Sequence, residues 1–300
     1  MLLKNLSKEY LFDCECKKYT KKTISGYEKS MNYLLSYLEQ EFKVATLEEL
    51  KPQHIKNFLL YMSEKDRTEV YINNLLKVYR CFCKYIFQEE YISYIITSKV
   101  KNLKEPKTVI STFTNEQVKR LLQYYNGFDF ISIRNKAILA LLFDTGVRCN
   151  ELLTLTYDQI FNDYILIKGK NNKERYISKS PMLTKIFFRY NNMRESFFKY
   201  KPVENNVFVS RTGKKLTNES INNFLKEAAT ACNITENIRV SAHTCRHTFA
   251  QMQLKNGLDV YSLSRLMGHE SISITQRYLQ GLQDKDILIS SVKTSPLMNL

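Results

Sequence analysis

The sequence predicts a mainly α-helical protein (α+β) with one small β element, arranged as two domains, and three observations carry that expectation. Glycine occurs once in the first 126 residues, at Gly26, which leaves few positions for positive-φ turns and little scope for hairpins there. Apolar residues recur at helical rather than strand spacing over most of the chain. The exception is YILIKGKNNKERYIS, Tyr164 to Ser178, where two alternating runs flank a polar Gly-Lys-Asn-Asn-Lys turn in the manner of a hairpin.

Taken in order, the first helix signal has Thr23 opening ISGYEKSMNYLLSYLEQEF. Thr46, with Glu49 three residues on, forms a capping-box signal ahead of LKPQHIKNFLLYM, and a third run, EVYINNLLKVYRCFCKYIFQEEYI, follows Thr68. Residues 1–105 therefore read as a helical bundle. The period is lost in the basic, proline-containing stretch KVKNLKEPKTVIST, so residues 106–113 read as a linker. Residues 114–300 form the second domain, opened by Thr114 as a cap with Gln117 at its third position. A helix is expected over Ile133–Phe143, a break at Thr145-Gly146, and a helix from about Arg148 through Leu153. Beyond the hairpin, helices are expected near Pro181–Tyr190, Glu219–Ala231, His243–Asn256, Val260–Met267 and Ser273–Leu279, with a short strand at VFVS.

The chain's 300 residues are enough for one large or two moderate cores. Lys and Arg number 45 against 30 Asp and Glu, leaving +15, a field that attracts polyanions and favours nucleic acid over acidic small molecules. Residues 1–105 hold 18 basic and 14 acidic side chains, and residues 106–300 hold 27 and 16, so the second domain carries most of that field. Seven cysteines is an odd number, and no N-terminal apolar run resembles a signal peptide or is long enough to span a membrane; reduced thiols in a cytoplasmic protein are expected. Cys14/Cys16 and Cys81/Cys83 lack partner pairs at zinc-site spacing, so no metal is expected.

Three of the four histidines, His243, His247 and His269, fall within 27 residues. His243 and Arg246 are three apart and share a helix face, while Arg148 lies at a turn into a helix, where backbone N–H groups favour an anion. Such parts can hold a phosphate.

Four segments, in order, resemble the motif boxes of the tyrosine recombinases of the phage integrase and Xer type: TGVRCNEL, IKGKNNKER, HTCRHTFA and LMGHESISITQRY, the last placing Tyr278 nine residues after His269. The resemblance covers roughly residues 114–280 and implies a tyrosine recombinase fold, with residues 1–105 similar to the family's SAM-like core-DNA-binding domain. It implies that Tyr278 attacks a scissile DNA phosphate, giving a 3′-phosphotyrosyl link and a free 5′-hydroxyl, without cofactor. Arg148 and Arg246 are then implied to bind the non-bridging oxygens, a site that suits guanidinium forks better than ammonium groups. His243 helps move the tyrosine proton, His269 donates to a phosphate oxygen, Lys170 protonates the departing 5′-oxygen, and Glu151 orients its neighbours. Asn171 stands where many relatives have glycine, which leaves open which of Lys168, Lys170 and Lys173 reaches the leaving group. The resemblance gives His247 no catalytic part, and it is read as structural.

Lys77, Arg80 and Lys84 follow helical spacing beside Tyr79 and Tyr85, and read either as a phosphate-tracking stripe or as a solvated face. The apolar Ile287, Leu288, Ile289 and Val292 form a tail that the family implies is exchanged between protomers, in a homo-tetramer on two double-stranded DNA sites or with a second recombinase as partner; packing within the same chain is the alternative. The activities expected are DNA integration or excision, or Xer-type resolution, with two rivals: relaxation of the type IB topoisomerase kind, and an inactive architectural DNA-binding protein.

Overall fold

In the computed structural model, residues 1–106, 110–169, 173–234, 238–281 and 292 are described. The chain divides into two units, Met1–Thr108 and Val109–Leu300, each with its own core.

The first unit is built from α1 (Leu3–Cys16), α2 (Lys21–Tyr37), α3 (Pro52–Glu64) and α4 (Glu69–Gln88). Helix α2 starts three residues earlier than its sequence signal: Thr20, not Thr23, is the cap, its hydroxyl accepting from the Thr23 N–H at 3.2 Å. It ends by widening into a π turn, Leu38–Phe42. The Thr46 signal is half realised. Glu49 does accept from the Thr46 N–H at 3.0 Å, yet it closes only a turn. The reason is Pro52, which disfavours helical φ/ψ in the residue before it; Lys51 is extended, and the helix begins at the proline, whose missing N–H costs nothing there. Thr68 caps α4 as expected, accepting from the Tyr71 N–H. Ile72, Leu76, Tyr79, Phe82 and Ile86 recur along α4 at helical spacing and are buried against α1, α2 and α3.

In the second unit, Thr114 and Gln117 form the reciprocal capping box that opens α5 (Asn115–Tyr124). Helix α6 (Phe130–Thr145) buries residues on every side, with Ile138, Leu139, Leu141 and Leu142 fully buried, so it runs through the middle of the core. Gly146 ends it in the left-handed region at φ 60°; a side chain there would collide with the Phe249 ring. Helix α7 (Cys149–Thr154) follows at once. The hairpin is an antiparallel pair, β1 (Tyr164–Lys168) and β2 (Glu174–Ser178), with Ile165 opposite Ile177 on the buried face and Ile167 opposite Arg175.

Helix α8 (Pro181–Phe198) is two turns longer than expected, because Phe197 and Phe198 continue its apolar face and pack on Phe130. VFVS is not part of a ladder. Val207, Phe208 and Val209 are fully buried, and pairing is limited to isolated bridges of Asn206 with Thr156 and of Val209 with Lys215. Its apolar character thus reflects core burial rather than a sheet. Helices α9 (Asn218–Ala231), α10 (Ala242–Lys255) and α11 (Val260–Met267) fall within a residue or so of expectation. The last expected helix is split: α12 (Ile272–Gln276) tightens into a 3₁₀ turn at Arg277–Gly281. Residues 110–113 are tied to α10, with the Phe113 N–H donating to Thr248 Oγ1 and the Thr112 hydroxyl to Gln251 Oε1. Among the described residues, no helix is long and apolar enough to cross a membrane.

Candidate active site

The turn after α6 and the turn after α11 face one another across α10, and between them they set two guanidinium groups. Arg246, on the buried side of α10, is 3% exposed. It donates to Gly146 O at 2.5 Å and to Met267 O at 2.6 Å, and its Nη2 lies 3.1 Å from His269 Nε2. Both carbonyls belong to helix C-termini, where unpaired carbonyls and the helix dipole favour a cation. No carboxylate lies within ion-pair reach of Arg246 among the described residues. Burial, followed by repulsion from Arg148, lowers its pKa to about 10, so the group is still charged at neutral pH and is short of an anion.

Arg148 occupies the N-cap of α7 with its side chain exposed. Its Nη2 donates to Gly268 O at 3.0 Å, while Nη1 meets Glu151 Oε1 at 2.9 Å. Glu151 also accepts the Arg148 backbone N–H at 2.8 Å, the capping half of its work. The same carboxylate takes a two-pronged fork from Arg175 on β2, at 2.9 and 2.7 Å. Burial alone raises the Glu151 pKa, but Arg175 and then Arg148 overcome that and hold it at about 2. Arg175 Nε further donates to Leu266 O at 2.9 Å, so one side chain ties the hairpin to α7 and to the end of α11. Arg175 has no place among the sequence-derived site residues. A signal was present, since the hairpin register fixes it across from buried Ile167, but register does not disclose what lies beneath the strand.

Gly268 closes α11 at φ 61°, with Gly268 N–H donating to Arg265 O and His269 N–H to Ser264 O. A Cβ at Gly268 would sit 3.0 Å from Arg175 Cδ, so glycine lets that arginine pass beneath the turn. The turn delivers His269, whose Nδ1 pairs with Thr275 Oγ1 at 2.7 Å and whose Nε2 faces Arg246. Burial, and then Arg246 and Arg148, lower its pKa to about 4.

Tyr278 is 3% exposed and packs with Phe249, Leu254, Leu263 and Met267. Its ring lies parallel to that of His269 with centroids 6.4 Å apart. Burial raises its pKa, with Arg246 pulling the other way, so the phenol rests protonated. Its hydroxyl is 2.8 Å from Nδ1 of His247. His247, read from the sequence as structural, therefore meets the phenol, because the i,i+4 spacing from His243 places both rings on the site face of α10, with centroids 4.1 Å apart. His243 is the more exposed of the pair, and its pKa is lowered by burial and then by Arg246.

Among the sequence-derived residues, the structure therefore gathers Arg148, Glu151, His243, Arg246, His269 and Tyr278. Lys170 lies outside the described residues, as do residues 287–289 of the tail. Its neighbours Lys168 and Lys173 line an open cleft of about 1270 Å³ that also touches Arg148, Arg175, Arg265 and His269. In the first unit, Lys77 and Lys84 are exposed on α4, but Arg80 is engaged with Val100 O and Asn102 Oδ1, each at 2.6 Å.

The described constellation has two guanidinium groups on the adjacent carbonyls of Met267 and Gly268, neutral imidazoles and a protonated phenol, a set that suits nucleophilic attack on a bound phosphate. The phage integrase family model matches residues 111–285. The tyrosine recombinase XerD of Halalkalibacterium halodurans is 31% identical over 259 residues, covering 85% of this chain and 86% of that protein. Among solved structures, the XerH site-specific recombinase bound to palindromic difH substrate in a post-cleavage complex is similar at a TM-score of 0.78 and 19% identity, covering 95% of this chain and 84% of that one. The Tn1549 transposon integrase in complex with transposon right end DNA matches at a TM-score of 0.73 and 19% identity, covering 98% and 100%.

Proposed function

This chain belongs to the phage integrase family and is a tyrosine-type site-specific recombinase, and we propose that Tyr278 is its nucleophile on double-stranded DNA. In this reading Tyr278 Oη attacks the scissile phosphorus, the bond from phosphorus to the 5′-oxygen breaks, and the 3′-phosphate stays on the tyrosine until a 5′-hydroxyl displaces it. The link conserves the bond, so rejoining needs no added energy source.

Arg148 and Arg246 bind the two non-bridging oxygens as charge builds on them in the five-coordinate transition state. The observation that carries this assignment is the buried Arg246 guanidinium, held from behind by two carbonyls and with no carboxylate within ion-pair reach among the described residues. A fixed cation of this kind stabilises developing negative charge without reorganising. Glu151 and Arg175 hold Arg148 in place, and His269, oriented by Thr275, gives up its resting contact with Arg246 and donates from Nε2–H to the same phosphate, in the tautomer whose Nδ1 accepts the Thr275 hydroxyl. Lys170 protonates the 5′-oxygen. The exposed Lys77 and Lys84 contact the DNA backbone, and the working assembly is a tetramer on two DNA sites in the cytoplasm, either of one chain or with a second recombinase.

A nicked suicide duplex, in which the cleaved strand diffuses away, tests the reading. Wild-type protein should accumulate a covalent adduct that Tyr278→Phe abolishes with DNA binding retained. An undiminished adduct in the phenylalanine variant would remove Tyr278 from the mechanism.

A further inference from the structure

Attack by a phenol leaves a proton to be placed, and the geometry limits where it can go. Both nitrogens of His269 are already facing partners, Nδ1 toward Thr275 and Nε2 toward Arg246. Arginine accepts no proton. His243 is one ring further out than His247. The nitrogen at the hydroxyl is His247 Nδ1, 2.8 Å from Tyr278 Oη, with the two rings 5.3 Å apart at 58°.

We propose that His247 is a catalytic residue, the base that takes the Tyr278 proton during cleavage and returns it during rejoining. This rests on Tyr278 being the nucleophile. As the Oη–P bond forms, the phenol proton passes to Nδ1, the P–O5′ bond breaks, and the 5′-oxygen is protonated by the acid on the hairpin. In rejoining, the 5′-hydroxyl attacks and returns its proton to the hairpin acid, Oη leaves the phosphorus, and Nδ1 gives the phenol proton back. The groups facing His247 are His243 and Arg246 from α10, Arg277 and Tyr278 from the 3₁₀ turn, and His269 from the turn after α11. Together with burial, the positive members keep the imidazole neutral in the resting site, as an acceptor must be. The tautomer follows from the bond: with the phenol donating to Nδ1, the ring proton sits on Nε2. The exposed His243, stacked edge-on at 4.1 Å, is the next group outward toward solvent.

The test is single-turnover adduct formation on the suicide duplex. His247→Asn retains a polar atom near the Nδ1 position but cannot take a proton, and should slow cleavage by about 10² to 10⁴-fold at neutral pH with DNA affinity unchanged. His247→Ala should be equally slow and partly restored by imidazole in the buffer. A duplex with sulfur in place of the 5′-oxygen, whose departure needs no proton, should restore neither variant, although it should restore Lys170→Ala. The His247→Asn rate should climb with rising pH as phenolate becomes available. An asparagine variant within about threefold of wild type, or one restored by the sulfur duplex, overturns the proposal. Should both variants fold poorly, the wild-type ¹⁵N resonance of His247 Nδ1 decides: it should shift in Tyr278→Phe, and an unchanged resonance also overturns it. An adduct that persists in Tyr278→Phe points instead to failure of the nucleophile assignment.

Discussion

Arg148 and Arg246 hydrogen-bond to the adjacent carbonyls of Gly268 and Met267 but are held by opposite means. Arg148 leans on a carboxylate that it shares with Arg175, and the three charges form a network whose net value is close to that of one cation. Arg246 is buried among carbonyls and an imidazole, with no carboxylate in reach among the described residues. The difference separates two tasks. A shared carboxylate fixes position, because several strong charge-assisted bonds converge on it. A carbonyl cradle fixes position without cancelling charge, and so keeps the full cation for an incoming anion.

The largest effect that separates the two is expected at Arg246. Arg246→Ala should lower adduct formation by about 10³-fold, the loss typical of a buried charge-stabilising donor. It should also abolish any rise in melting temperature that inorganic sulfate gives the wild-type protein. Arg246→Lys should not recover activity, since one ammonium cannot reach both carbonyls and the phosphate; recovery to within tenfold in the same adduct assay would break the comparison.

Next comes the carboxylate. The Glu151 pKa, about 2 in the fold, lies below its ordinary unfolded value of about 4.3, so its stabilising contribution is fully present above the unfolded value and is lost as pH falls toward 2. Over that window it amounts to roughly 3 kcal/mol. Urea unfolding at a series of pH values should show the wild type losing stability from about pH 4.5 downward, with Glu151→Gln less stable at neutral pH and flatter in that window. A parallel decline in both proteins would show that Glu151 is not the linked group.

Arg175→Lys comes third. Replacing the fork by a single ammonium should cost about 1 to 2 kcal/mol and slow cleavage about tenfold at saturating DNA, as Arg148 loses its anchor. Urea midpoints beside the adduct assay read both, and a variant with normal stability would refute the anchoring role. The smallest effects belong to α4, where the same contrast between held and free cations recurs. Lys77→Ala and Lys84→Ala should each reduce the salt slope of DNA binding by about one, whereas Arg80→Ala, already spent on Val100 and Asn102, should lower stability and leave the slope nearly unchanged.

Much of this was legible beforehand wherever the signal was local. The caps at Thr68 and Thr114, the stop at Gly146 and the alternating hairpin are decided within a few residues, and each formed where expected. Thr46 misled because a proline six residues on vetoed the helix, and VFVS because burial in a core and pairing in a sheet select the same residue types. The residues proposed for the site were picked out by motif order, but their partners were not. His247 shares a helix face with His243, a relation visible in the spacing, yet nothing in HTCRH tells which ring meets a phenol 31 residues away.

The sequence by itself determined the helices, the hairpin and the set of groups able to handle a phosphate, because those depend on backbone preference and side-chain chemistry at short range. Only the tertiary structure decided which arginine is neutralised, which remains an open cation and which imidazole touches Tyr278. Those outcomes depend on which helix ends and which side chains are brought together in the low-dielectric interior, where Arg246 meets a carbonyl of a residue 100 positions away.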